Sequence, residues 1–129
     1  MADCTHMTIE DVTDAGPQFG AEGFAEIRFA NDQMGTAQTG FTHHRVQPDV
    51  HSGFGHRHQE AEEVYFVIAG GGRAKLDDEV IEIAKGDALR VAPEVIRSFA
   101  SGPDGLEMLA FGAKHEGDGE VFPDWWPAG

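Results

Sequence analysis

Three side chains in this sequence have the types and spacing to hold a metal ion: His56, His58 and Glu63. Two imidazoles at i and i+2 of an extended segment point to one side, because side chains on a strand alternate faces. Glu63 follows at the head of the apolar run 64–69, where a carboxylate is out of keeping with its neighbours. Two neutral nitrogens and one carboxylate oxygen suit one divalent transition metal ion (Fe, Mn, Ni, Cu or Zn) better than Mg or Ca. Burying two histidines without partners is costly, so a polar or metal pocket outweighs a plain core role for this pair.

The neighbouring candidates are weaker. Glu62 also follows the histidines, but it reads as a solvated residue on the outer face. Tyr65 lies two residues beyond Glu63 and shares its face, so it can offer a hydroxyl to the pocket, with packing as its simpler role. His43 and His44 are adjacent and must point to opposite faces, so at most one of them is a ligand. His51, in a loop between Pro48 and Gly55, can reach a pocket mouth; His6 and His115 have no supporting context. Cys4 is the single cysteine and has no base partner, which argues against a thiol nucleophile and rules out an internal disulfide. With no disulfide to form, a reducing, cytoplasmic setting is expected. No Ser-His-Asp arrangement, phosphate-cradling loop or dinucleotide fingerprint is present.

Positioning those side chains requires strands, and strands are what the pattern offers. Short apolar runs over 24–29, 39–46, 63–69, 73–76, 79–83, 88–91, 96–100 and 106–111 are separated by turn residues. Asp77-Asp78, Lys85-Gly86-Asp87 and Ala92-Pro93-Glu94 read as turns, and Gly70-Gly71-Gly72 as a hairpin where positive φ is needed. No helix of convincing length appears. Many short strands at near-even spacing predict an all-β sandwich or barrel. At 129 residues the chain is one domain, divided as a lead-in segment over 1–23, a barrel over 24–112 and an aromatic tail over 113–129. Phe122, Trp125 and Trp126 make the tail a docking strap across the barrel or a subunit interface, because rings of this size are rarely left exposed.

Charge narrows the partners. With 23 acidic against 9 basic residues, the net charge is −14. Such a surface repels nucleic acid and anionic membranes, both of which call for basic patches. The longest apolar run is too short to span a bilayer as a helix. A small molecule is the expected ligand.

The spacing His56-x-His58, four residues, Glu63, six residues, Gly70 resembles the first motif of the cupins, small β-barrel proteins. Their second motif, a Gly-Asp turn leading through a strand to a proline turn and a further histidine, is matched by Gly86-Asp87, Val91 and Pro93. Arg97 stands where that histidine is expected. The resemblance covers roughly 36–112. It implies a double-stranded β-helix or jelly-roll barrel with little helix, a homodimer, and His56, His58 and Glu63 as metal ligands.

Arginine keeps its proton and cannot ligate, so three readings of the site stand side by side. His56, His58 and Glu63 bind the ion alone, leaving open positions for substrate or dioxygen, and Arg97 grips a substrate carboxylate. Alternatively His43, His44 or His51 supplies the missing ligand. In the third reading Arg97 pairs with Glu63, and a metal-free pocket binds a small polar or anionic molecule. The first describes an oxygenase- or isomerase-type enzyme acting on a small organic acid or carbonyl compound, with Arg97 and Tyr65 as its catalytic side chains. The third describes a binding module.

Overall fold

Alternating burial along the strands shows which faces the sequence turns inward. In the computed structural model, which describes residues 2–51, 53–115, 117–123 and 125–126, eight strands form one curled antiparallel sheet. They are β1 (Ala25–Phe29), β2 (Thr39–Val46), β3 (Phe54–His58), β4 (Glu63–Leu76), β5 (Glu79–Ala84), β6 (Ala88–Val91), β7 (Arg97–Ala113) and β8 (Gly119–Pro123). One path runs β1-β2-β7-β3-β8, while β4 joins β7 to β5 and β6. Among the described residues, helix is confined to two 3-10 turns, Ile9–Asp11 and Gly16–Phe19, and one α turn, α1 (Asn31–Met34). The all-β expectation therefore holds.

The core is a contiguous cluster that includes Val46, Tyr65, Val67, Phe99, Leu106 and Met108. Period-2 alternation on β4 turns Tyr65 and Val67 inward and leaves Val64 and Phe66 exposed. At one end of this core, β3 and the first residues of β4 carry the candidate site.

Two sequence expectations need correction. The glycine run is not a hairpin: β4 passes straight through it, pairing with β7 on both sides, with register shifts between Val67 and Ala69 and between Gly70 and Gly72. The expected positive φ does hold at Gly70, at 70°, and the run as a whole is glycine because backbones cross closely at this corner. A Cβ on Gly72 would sit 1.9 Å from the Ala100 carbonyl oxygen, and one on Gly70 would sit 2.1 Å from that of Gly105. For the same reason the runs 96–100 and 106–111 are one strand, β7, whose pairing with β4 skips from Ser101 to Leu106 at that corner.

The lead-in segment is tied to the barrel despite its polar composition. Asp14 Oδ1 accepts from Gly16 N at 2.8 Å and Ile27 N at 2.9 Å, and Arg28 donates to the Val12 carbonyl. These bonds seat Phe19 against Phe29 and Phe54. At the other end of the chain β8 pairs with β3 along its whole length, from Phe54↔Pro123 to His58↔Gly119. Trp126 stacks on His51 with ring centroids 6.3 Å apart, and Lys75 lies 4.2 Å over the Trp125 ring.

Candidate metal centre

Extended backbone on β3 puts His56 and His58 on one face and sends Arg57 to the other, where it pairs with Glu120 at 3.3 Å. Glu63, the first residue of β4, enters the same space from the adjoining wall. Its Oε1 lies 3.6 Å from His56 Nε2 and 3.2 Å from His58 Nε2. Among the described residues these three form the group whose donor atoms all fall within 4.8 Å of one another. An ion with bonds of roughly 2.0–2.2 Å needs neighbouring donors roughly 3–3.5 Å apart, so small side-chain adjustments suffice.

Orphaned atoms test whether an ion suits the site. Both ring nitrogens of His58 are buried without a hydrogen bond, an arrangement that leaves a neutral imidazole's donor and acceptor both unmet. A metal at Nε2 would use the lone pair. On the other side of the ring, Asp118 Oδ2 lies 3.6 Å from Nδ1. A carboxylate behind a ligating histidine is the usual arrangement for fixing its tautomer and orientation. The donor set therefore fits a divalent transition ion.

Asp118 had no signal in the sequence, where it looks like a turn residue between Gly117 and Gly119. Its carboxylate accepts from the backbone N–H groups of Gln59 at 2.8 Å and Ala61 at 3.0 Å, closing the β3–β4 turn. Burial opposes its charge, but the donors at Ala61, Gln59 and Glu60 hold its pKa below the ordinary aspartate value.

Around Glu63 the electrostatics favour a carboxylate and neutral imidazoles. Burial alone would raise Glu63, but His56, His58 and Tyr65 around it outweigh that and hold it far below the usual carboxylate range. Burial keeps His56 below the ordinary imidazole value despite the nearby carboxylate. Tyr65 is fully enclosed, and burial, reinforced by the Glu63 charge, pushes its phenol well above the ordinary value. The protonated phenol donates to Glu63 Oε1 at 2.7 Å, and its oxygen lies 3.3 Å from His56 Nε2.

Arg97 pairs in register with His56 across β3 and β7. Its side chain is 0% exposed and sits behind Glu63, with NH1 4.0 Å from Oε1 and NH2 donating to the Ala92 carbonyl at 2.8 Å. Its Nε and NH1 make no hydrogen bond. The guanidinium is not part of the cavity wall, so a substrate carboxylate has no approach to it in this geometry.

The other histidines are dispersed. His44 faces the cavity beside the triad, and burial, with a smaller contribution from His56, lowers it to about 4. His43 points to the opposite side, where Nε2 is 2.6 Å from Glu107 Oε2. His51 lies against Trp126, and Glu62 pairs with Arg90 at the surface.

The cavity above the triad has a volume of about 180 Å³. His44, His56, His58, Glu63 and Tyr65 make its polar floor, and Phe19, Ile27, Phe29, Phe54 and Val121 make its apolar wall. The wall residues went unnoticed in the sequence because three of them lie in the lead-in and first strand, far along the chain from the histidines.

Comparison with known proteins agrees with this architecture. A cupin protein of Bacteroides fragilis superposes with a TM-score of 0.70 at 21% identity, covering 91% of this chain and 89% of that one. The polyketide cyclase RemF of Streptomyces resistomycificus gives a TM-score of 0.74 at 19% identity, covering 95% and 87%. A cupin-superfamily sugar phosphate isomerase of Silicibacter pomeroyi gives 0.69 at 14% identity, covering 97% of each chain. In sequence, 39 residues are 38% identical to an uncharacterised protein of Methanocaldococcus jannaschii; the match spans 30% of this chain and 31% of that protein. The model of the cupin domain family matches residues 42–111, more than half of the sequence and all of the triad, and the chain belongs to that family.

Proposed function

We propose that this protein is a mononuclear-metal enzyme acting on a small carbonyl compound, of isomerase or oxygenase type. The observation that carries this reading is the His58 ring, with an unsatisfied Nε2 3.2 Å from the carboxylate of Glu63 and a carboxylate of Asp118 3.6 Å from Nδ1. His56, His58 and Glu63 would hold the ion. Bound there, it would supply Lewis acidity toward a substrate oxygen or one-electron chemistry.

The remaining roles belong to the chain. Tyr65 donates a hydrogen bond to Glu63 and so fixes which carboxylate oxygen faces the histidines. Arg97, behind the same oxygen, is a positioning residue for Glu63 rather than a substrate grip. His44 is neutral at physiological pH and faces the cavity, so its ring can hydrogen-bond the polar edge of a substrate. A substrate acid is less favoured than a carbonyl compound, because Arg97 is out of reach.

One observation supports a second reading. Glu63 already has the Tyr65 hydroxyl at 2.7 Å and Arg97 at 4.0 Å, partners that would satisfy it in a metal-free binding module. Elemental analysis of untagged protein purified without chelator separates the two. Close to one transition metal per chain, lost in His56→Ala and His58→Ala, supports the enzyme; protein that stays metal-free after Fe, Mn, Ni, Cu and Zn are each offered supports the module. The enzyme reading includes a homodimer, favoured by the exposed Val64, Phe66 and Phe111 on the outer sheet face. A sedimentation mass of twice 13.9 kDa is expected.

A further inference from the structure

The wall and the floor of the cavity come from different parts of the chain. Every polar floor residue, from His44 to Tyr65, lies inside the segment common to the family, 42–111. Phe19, Ile27, Phe29 and Val121, which make most of the apolar wall, lie outside it. The flanks of this particular chain therefore shape what the common floor can meet.

That shaping is apolar and uncharged. Phe19 stacks on Phe54 with centroids 5.4 Å apart and planes at 16°, and tilts against Phe29 at 6.0 Å. At the mouth Phe29 remains 46% and Val121 49% exposed, apolar surface that a bound molecule would cover. Among the described residues, no lysine or arginine lines the cavity. In the adjoining crevice beyond Glu63, Lys114 directs its ammonium to the Thr36 carbonyl at 3.0 Å, and His115 faces Glu60 at 3.5 Å. The net charge of −14 adds a long-range penalty for anions. The size is also restrictive. A cavity of roughly 150 Å³ with apolar walls takes up benzene, and this one offers about 180 Å³ with an open mouth.

We propose that the site selects an uncharged, ring-bearing molecule with one polar edge. The ring lies among Phe19, Phe29, Phe54 and Val121, and a hydroxyl or carbonyl edge faces His44 and the triad. Phe19 and Phe29 are its specificity determinants. Only the preference at the polar edge rests on the metal-site reading; the apolar wall stands without it.

The test uses p-cresol, a single uncharged ring with one hydroxyl, against glucose 6-phosphate and oxalate, by calorimetric titration of both metal-free and zinc-loaded protein. Saturable p-cresol binding is expected in the metal-free protein, tighter than either anion. Phe29→Ala should weaken p-cresol about tenfold, the loss of one ring face, with zinc stoichiometry unchanged. Phe29→Lys should weaken it further and raise oxalate affinity. Phe29 is half-exposed, so both variants keep the fold; Phe19→Ala gives a second reading once its thermal melt matches that of the parent. Tighter binding of either anion to the metal-free protein, or p-cresol affinity indifferent to Phe29→Ala, would overturn the proposal. Failure to take up zinc with p-cresol binding intact removes the metal reading alone and leaves the ligand class standing.

Discussion

Glu63 is pulled in two directions by its neighbours, and two substitutions read the balance. Arg97 places a fixed positive charge 4.0 Å from the oxygen that His56 and His58 also approach. A divalent ion at that oxygen is repelled by the guanidinium, with little water between to screen it. Arg97→Met should therefore raise zinc affinity by roughly tenfold or more, measured by competition with a chromophoric chelator, whereas Arg97→Lys, which keeps the charge, should not. The fold should lose stability in the Met variant, since the Ala92 carbonyl loses its donor and Glu63 a compensating charge. Unchanged zinc affinity in Arg97→Met would mean that the ion, if bound, is not held through Glu63. Asp118→Asn acts from the other side: it removes the charge behind His58 Nδ1 and should weaken zinc by about 10- to 100-fold. The triad was legible in the sequence because period 2 and a carboxylate at the head of an apolar strand are local signals. Asp118 was not, since its partners at Gln59, Glu60 and Ala61 lie 57 to 59 residues away along the chain.

At the scale of elements, β4 and β7 show where local pattern stops being sufficient. The runs 39–46 and 88–91 coincide with β2 and β6, because each is bounded by turn residues and buries one face. Three glycines in a row look like a turn by the same logic. Here they serve the crossing of two long strands, a demand that comes from β7 and is invisible within β4. Gly72→Ala should cost about 3 kcal/mol or more, as a new methyl cannot coexist with a carbonyl oxygen 1.9 Å away and both strands must part. Gly102→Ala is the control, since its Cβ would meet nothing nearer than 3.5 Å and its φ is ordinary. Thermal melts compare the two. Equal, small effects would mean that the corner tolerates separation and that the glycine run has another cause. The mouth of the cavity also belongs to this scale: Phe19 reaches it only because Asp14 ties the lead-in to β1, a link between positions 14 and 27 that no periodicity announces.

For the whole molecule, two electrostatic effects of opposite sign set the response to pH and salt. Locally, Glu107 is held below the ordinary carboxylate value by His43 and Arg45, which outweigh the effect of burial, and Glu26 is lowered by Arg28 and then Arg45. Carboxylates with depressed folded-state values contribute stability above their unfolded value, about 4.3, and lose it as pH falls through the folded one. Globally, a net charge of −14 on 129 residues opposes folding at neutral pH through self-repulsion. Screening distinguishes the two, because the Debye length falls from ~10 Å at 0.1 M to ~3 Å at 1 M salt. The exposed pairs that salt would also weaken, Arg57–Glu120 and Arg90–Glu62, contribute little to begin with. Repulsion should therefore dominate at pH 7, and the melting temperature should rise when sodium chloride goes from about 0.1 to 1 M. Near the isoelectric point, about 4.6, that rise should vanish, because little net charge is left to screen. Below it, stability should fall as Glu26 and Glu107 protonate, and Glu107→Gln should make that acid limb shallower while lowering stability at pH 7. A melting temperature that drops with salt at pH 7 would show instead that the ion-pair cluster on β1, β2 and β7 outweighs the repulsion of the whole surface.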